Sequence, residues 1–165
     1  MKEFDTTLKK NKANYVPLNP VSFLRKTAAT FPNKKSVIYN SRTYTWLETY
    51  SRCKHLASAL VLRGLEPGDT VGFVAMNTPE LYEAHFGVPM AGLILNAMNY
   101  RLDPKTLAFI IDHSETKLLV ADLEFLPVVE KALAMSHESP EIIVIEDIEA
   151  GFENNSKYEH YEELL

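Results

Sequence analysis

The sequence predicts an α/β domain: a partial doubly wound, mainly parallel sheet with flanking helices, preceded by an extended arm and a small hairpin. Three observations carry this. From Gly64 onward, turn residues, short apolar runs and amphipathic segments alternate as strand then helix, with short links, the pattern of a parallel sheet covered on both faces. The runs Leu118-Leu119-Val120-Ala121 and Ile142-Ile143-Val144-Ile145 are continuously apolar, as strands buried on both sides are. Helix-start signals also recur ahead of apolar periodicity, at Asn19-Pro20, Thr45-x-x-Glu48 and Asp103-Pro104.

Residues 1–19 are polar and then extended at Tyr15-Val16-Pro17-Leu18, an arm expected to lie on a surface. Asn19 caps a helix whose first turn holds Pro20; Phe23, Leu24, Thr27 and Phe31 give it an apolar side, and Pro32 ends it. Segments 36–39 and 42–45 form a hairpin through Asn40-Ser41. Thr45 and Glu48 form a capping box, each side chain satisfying a backbone N–H of the other's residue. Leu47, Tyr50, Leu56, Leu60 and Val61 continue that helix until Gly64, which accepts the left-handed cap. Pro67-Gly68 turns into a strand over 70–75, and a helix over 79–91 follows, capped by Asn77 or Thr78. A short strand over 93–96, a helix over 104–113 capped by Asp103, a strand over 117–121, a helix over 123–134 and a strand over 141–145 complete the alternation. After Glu146 the chain is acidic and polar, and no further element is expected. Organisation is therefore an arm over 1–19 and a partial domain over 20–165, incomplete at its carboxyl end. Cutting the sheet there is expected to leave the apolar strands 118–121 and 142–145 exposed at an edge and the chain prone to associate.

With 165 residues, 46% of them apolar, the chain is long enough for one domain with a core. A net charge of −5 and the absence of a long basic run argue against a nucleic-acid partner; Lys9, Lys10 and Lys12 read as a solvated tail. The single cysteine, Cys53, cannot form an intrachain disulfide, which suits a reducing compartment, and its helical position reads as an unreactive, partly buried thiol. No apolar run approaches the ~20 residues of a membrane span, and no apolar stretch follows Met1-Lys2-Glu3 to make a secretory signal. A cytoplasmic or peroxisomal location is expected.

Residues that could carry chemistry are scattered. No glycine-rich phosphate loop occurs, and Gly64-Leu65-Glu66-Pro67-Gly68 precedes a strand and lacks the N–H that Pro67 removes, so it is a turn. His55, His85, His113, His137 and His160 show no i, i+4 pairing with a second histidine, so no metal is expected. Asp112-His113-Ser114 holds the residue types of a hydrolase triad, but helical neighbours point about 100° apart and cannot relay a proton in line. Glu80 and Glu83 share a face at a helix start, where negative charge is favourable anyway, and His85 reads as a satisfied imidazole among Leu81, Tyr82, Phe86 and Val88. Asn96, Asn99, Tyr100 and Arg101, in the loop after a strand, are placed where doubly wound sheets collect ligands, or else bond their own loop.

Several segments together resemble a known family. Tyr15-Val16-Pro17-Leu18-Asn19-Pro20, Tyr44-Thr45-Trp46-Leu47-Glu48, Gly68-Asp69-Thr70-Val71 running to Asn77-Thr78-Pro79-Glu80, and Ala84-His85-Phe86-Gly87 running to Leu95-Asn96-Ala97-Met98-Asn99-Tyr100-Arg101-Leu102 resemble, in order, the amino-terminal part of AMP-forming acyl-CoA synthetases of the adenylate-forming superfamily, acyl-activating enzyme type. The resemblance implies a fragment of an ATP-dependent, fatty acid-like carboxylic acid–CoA ligase acting through an acyl-adenylate. ATP, Mg²⁺ and coenzyme A are then cofactors of the complete enzyme, none bound by this chain alone; its partners are a carboxylic acid substrate and the remainder of the ligase domain. The family's phosphate loop and catalytic lysine have no counterpart in this sequence, so no catalytic, cofactor-binding or metal residue is assigned and the chain is expected to be inactive alone. The alternatives are a natural truncated paralogue serving as a protein-interaction module and an unrelated α/β small-molecule-binding domain.

Overall fold

The structure, a computed structural model, describes residues 16, 18–147, 151 and 157–165. Most of the arm, with Lys9, Lys10 and Lys12, lies outside the described residues. In chain order the elements are α1 (Pro20–Thr30), β1 (Lys35–Tyr39), β2 (Arg42–Thr45), α2 (Trp46–Leu62), β3 (Thr70–Val74), α3 (Pro79–Met90), β4 (Ile94–Met98), α4 (Pro104–His113), β5 (Thr116–Asp122), a single 3₁₀ turn (Leu123–Phe125), α5 (Leu126–Leu133), β6 (Glu141–Ile145), β7 (Glu159–His160) and α6 (Tyr161–Leu164).

The helix starts form as their side chains dictate. Asn19 Oδ1 accepts the Ser22 N–H at 2.8 Å, and Asp103 Oδ1 accepts those of Lys105 and Thr106 at 3.0 and 3.2 Å. Thr45 Oγ1 accepts the Glu48 N–H at 3.3 Å while the Glu48 carboxylate accepts the Thr45 N–H at 2.7 Å, the expected capping box. Asn40 takes a positive φ of 49° to turn the β1–β2 hairpin. Most boundaries fall within one residue of expectation, and two differ further. β4 begins and ends later than 93–96, which puts Asn96 inside the strand. The helix expected over 123–134 opens instead as a 3₁₀ turn, because Pro127 fits only a first α-helical turn and α5 begins around it.

β3 to β7 form one parallel sheet in the order β4-β3-β5-β6-β7. One face packs Val71, Phe73, Leu118, Val120, Ile143 and Ile145 beneath α2, α3 and α6. The other packs Val74, Leu119 and Ala121 beneath α4 and α5. Gly87 on α3 lets α2 approach: a Cβ there would sit 2.7 Å from Leu56 Cδ2 and 3.0 Å from the Cys53 carbonyl oxygen. α1 turns only Leu24 and Ala28 to the protein; Phe23 and Phe31, expected on its inner side, are 55% and 46% exposed. The buried stripe of α2 is Thr49, Cys53, Leu56, Ala57 and Leu60, and the flanking Leu47 and Val61 are exposed.

The largest difference lies at the carboxyl end. β5 is central, and β6 is not an edge: Ile143 and Val144 pair with Glu159 and His160 of β7, and Tyr161 and Leu164 of α6 are buried against the sheet. The segment expected to be featureless therefore supplies the sheet's fifth strand. A two-residue strand has no periodicity to read, and its anchor Tyr161 sits among charged neighbours that mask it.

Candidate functional site

At the carboxyl ends of β3, β5 and β6, acidic side chains gather. Past β3, the Met76 N–H donates to Asp122 Oδ2 at 3.0 Å, at the end of β5. Asp122 is buried, and its carboxyl is pushed up to about 6, first by burial and then by the charges of Asp147, Glu80 and Glu124, against the Met76 bond. Glu80, in the first turn of α3, is 2% exposed; its Oε1 accepts Arg42 Nη1 from β2 at 2.5 Å. The Tyr39 hydroxyl on β1 donates to Asp147 just past β6, and that bond, with burial, raises the phenol to about 12. The hairpin is thus tied to the sheet through its own Tyr39 and Arg42.

A second knot lies one turn along α3. Arg52 of α2 grips Glu83 with Nε at 2.5 Å and Nη2 at 3.2 Å, and reaches Glu162 of α6 with Nη1 at 2.9 Å. The Tyr161 hydroxyl donates to Glu83 Oε2 at 3.1 Å. Burial pushes the Glu83 carboxyl up to about 7, against the pull of Arg52 and Tyr161. Arg63 clasps Glu141 and Glu159, and His160 Nδ1 lies 3.1 Å from Glu146 Oε2. Glu80 and Glu83 do share a face, as their i, i+3 spacing requires, but they are buried ion-pair partners rather than dipole-facing surface charges.

The other residues singled out in the sequence do not converge. Asn96 Nδ2, within β4, donates to Ser114 Oγ at 3.0 Å. Asn99 Oδ1 accepts the Arg101 N–H at 3.0 Å, while Tyr100 stacks on Phe125 with centroids 4.9 Å apart, so this loop bonds itself. Asp112 accepts from Ser136 Oγ and the N–H groups of His137 and Glu138, His113 stacks on Phe109, and the Ser114 hydroxyl goes to the Ile110 carbonyl. Those three side chains leave in three directions. Cys53 is fully buried, with burial pushing its thiol up to about 12, where no nucleophilic thiolate forms at neutral pH. His85 is exposed, and its Nδ1 lies 2.7 Å from the Leu81 carbonyl oxygen, so the imidazole is satisfied as expected.

Sequence reasoning did not find the Arg42–Glu80 and Arg52–Glu83–Glu162 pairs. Their partners stand 31 to 110 residues apart, and the one local signal was two glutamates on an otherwise apolar helix face. Chemically the arrangement is a set of mostly neutralised buried ions. Among the described residues no group of three His, Cys, Asp or Glu side chains is placed to hold a metal ion, and no helix is long and apolar enough to cross a membrane.

Comparison with known proteins agrees with this architecture. The model of the AMP-binding enzyme family matches residues 24–163. The chain is 46% identical over 147 residues to the peroxisomal acetate/butyrate–CoA ligase of Arabidopsis thaliana, covering 85% of this chain and 26% of that protein. It is 45% identical over 144 residues to the acetate–CoA ligase of Humulus lupulus, covering 84% of this chain and 25% of the relative. The fold also matches an anthranilate CoA ligase solved with anthranoyl-AMP, with a TM-score of 0.81 at 22% identity over 93% of this chain and 29% of that one. The chain thus spans about a quarter of the length of these curated relatives, and the matches cover about 85% of its own length. By that match over residues 24–163, the chain belongs to the AMP-binding enzyme family.

Proposed function

We propose that this chain is the amino-terminal structural layer of an ATP-dependent carboxylic acid–CoA ligase working through an acyl-adenylate, and that it is inactive alone. Its domain, over 20–165, is the first part of a larger one. The observation that carries the reading is 46% identity over 147 residues to an acetate/butyrate–CoA ligase of which the chain spans 26%. Short-chain acids are the substrate class that this supports, and the peroxisomal relatives favour the peroxisomal location over the cytoplasmic one.

The residues present do not fit a nucleoside triphosphate. No glycine-rich loop opens a helix, and the side chains at the carboxyl ends of β3, β5 and β6, Glu80, Asp122 and Asp147, already serve Arg42, the Met76 N–H and Tyr39 as acceptors and offer a phosphate no donor. No step through ATP, Mg²⁺ or coenzyme A is therefore assigned to this chain. Its role is to hold a five-stranded sheet and a hairpin in place beside the parts that do the chemistry.

Two assays test this. The purified chain, given ATP and acetate or butyrate, should show no ATP–pyrophosphate exchange above a heat-treated control; exchange that survives repurification overturns the claim of inactivity. Grafting the chain in place of the matching quarter of the Arabidopsis acetate/butyrate–CoA ligase should preserve thioester formation. A folded but inactive chimera would instead favour a self-contained, non-catalytic interaction module, a reading to which β7 and α6 lend weight because they cover the sheet edge at β6.

A further inference from the structure

Two open grooves on the outside of α1 and α3 share one wall. The first, of about 400 Å³, is lined by Leu18, Phe23 and Phe86. The second, of about 490 Å³, follows α3 from Phe86 past Tyr82 and Leu81 to Asn77. Joined at Phe86, they form one apolar strip, in which the Tyr82 and Phe86 rings meet edge-on with centroids 5.3 Å apart. Leu18 is 82% and Phe23 55% exposed, so α1 turns an apolar side outward while Leu24 and Ala28 point inward. A contiguous exposed strip of this kind is where another segment packs.

The nearest such segment is the chain's own arm. Residues 1–15, outside the described residues, run directly into Val16 and Leu18, and Leu18 is itself part of the groove wall. Their sequence places Met1, Phe4 and Leu8 at the i, i+3, i+7 spacing with which a segment offers one apolar side to a groove. Lys2, Lys9, Lys10 and Lys12 stand against only Glu3 and Asp5, so the arm is basic on a chain of net charge −5, and the field of the fold draws it back. Its length suffices: from Phe86 to Asn77 the strip runs about 14 Å along α3, at ~1.5 Å per helical residue, which even a helical arm would span. A tethered segment also meets the groove at an effective concentration on the order of mM, an advantage that a second copy or a separate partner lacks.

We propose that the amino-terminal arm docks in this groove, Phe4 and Leu8 packing against Phe23, Tyr82 and Phe86 with the lysines left at the surface. The inference is independent of the ligase reading, since groove and occupant both belong to this chain.

Trypsin cleavage after Lys9, Lys10 and Lys12 in the full chain, followed by mass spectrometry, reads the docking, because a packed segment must open before a protease can cut it. Phe4→Ser and Phe23→Ser should each speed this cleavage about tenfold, and the two together no more than either alone, since both remove one shared contact. Phe31→Ser, an exposed position of α1's end that does not line the groove, should leave the rate unchanged. Should Phe23→Ser fail to fold, Leu18→Ser, at a more exposed residue, takes its place. Wild-type cleavage as fast as that of Phe4→Ser overturns the proposal, and so does equal acceleration by Phe31→Ser. Protection that fades on dilution gives the groove to a second copy, and protection that arises only when the chain is grafted into a complete ligase gives it to the remainder of that enzyme; either result overturns docking of the arm.

Discussion

The two faces of the sheet are built on different terms. Beneath α4 and α5 the hydrophobic cluster is Val74, Met98, Leu107, Ala108, Ile111, Leu119, Ala121, Val129 and Ala132, with the uncharged Thr116 buried beside it. Beneath α2, α3 and α6 an apolar cluster of similar make-up is bordered by Glu80 and Glu83, 2% and 1% exposed, each held by an arginine from another element. Apolar contacts are non-directional and tolerate repacking, whereas a buried ion needs its partner in place. The first face is thus held by volume and the second by geometry, and it is the second that ties the hairpin and the final strand to the sheet.

The largest expected effect breaks this contrast at its centre. Glu83→Ala leaves Arg52 half-answered and the buried Tyr161 hydroxyl without its acceptor, and should cost about 3–5 kcal/mol by chemical denaturation. Replacing both partners with apolar residues, Glu83→Leu with Arg52→Met, should recover the part due to the unpaired arginine and leave the cost of the unanswered Tyr161 hydroxyl. If the single change costs under about 1 kcal/mol, the pair behaves as an ordinary surface bridge and the two faces are alike.

The pH dependence sharpens the contrast next. Asp122 is raised in the folded chain to about 6 by burial, so the unfolded chain releases this proton at lower pH than the folded chain does. Its contribution to stability is full below the unfolded value near 4 and is lost as pH rises through about 6. Glu83, raised by burial to about 7, acts with the same sign. Asp103 and Asp112 are lowered by their hydrogen bonds and act oppositely, losing their contribution as pH falls below the ordinary carboxylate range. Stability should therefore peak near pH 5 and fall by about 3 kcal/mol toward pH 8. Asp122→Asn, which keeps an acceptor for the Met76 N–H, should flatten this fall, and an unchanged slope would show that Asp122 is not its source.

Two glycines probe the same difference sterically. A Cβ at Gly87 meets Leu56 Cδ2 at 2.7 Å and the Cys53 carbonyl oxygen at 3.0 Å, and backbone cannot step aside. A Cβ at Gly72, on the α4–α5 side, meets the side-chain ends Leu119 Cδ1 at 2.7 Å and Met98 Cε at 2.8 Å, which can. Gly87→Ala should cost about 1–3 kcal/mol and Gly72→Ala less. Equal losses in thermal or urea unfolding would mean that both faces are equally rigid.

What could be read in the sequence follows the same line. The order of elements from α1 to β6 was legible, because each carries its signal within a few residues: a cap such as Asp103, a run such as Leu118 to Ala121, a stop such as Gly64. β7 and α6 were not, since their place depends on Arg52, Arg63 and Glu83, each far away in the chain. The earlier expectation of association through an exposed β6 changes accordingly: among the described residues the sheet's outermost strands are β4 and β7. Of the carboxyl-end cluster, the local pattern disclosed only that Glu80 and Glu83 share a face. Neither their burial nor Asp122's role can be inferred from spacing.

The smallest effect tests a feature that was fully local. Thr45 and Glu48 satisfy each other's backbone N–H at the start of α2, and their two side chains also bond each other. Capping by threonine is worth ~1 kcal/mol, so Thr45→Ala should lower stability by about that much. Glu48, whose carboxyl is lowered by the Thr45 backbone N–H, retains that bond in the variant, which keeps the loss at the modest end. Made in a complete relative, the change should leave thioester formation per folded molecule unaltered. A large loss of turnover at unchanged stability would place Thr45 in a functional site, and the division between locally specified frame and long-range charged face would then fail at the element where it is clearest.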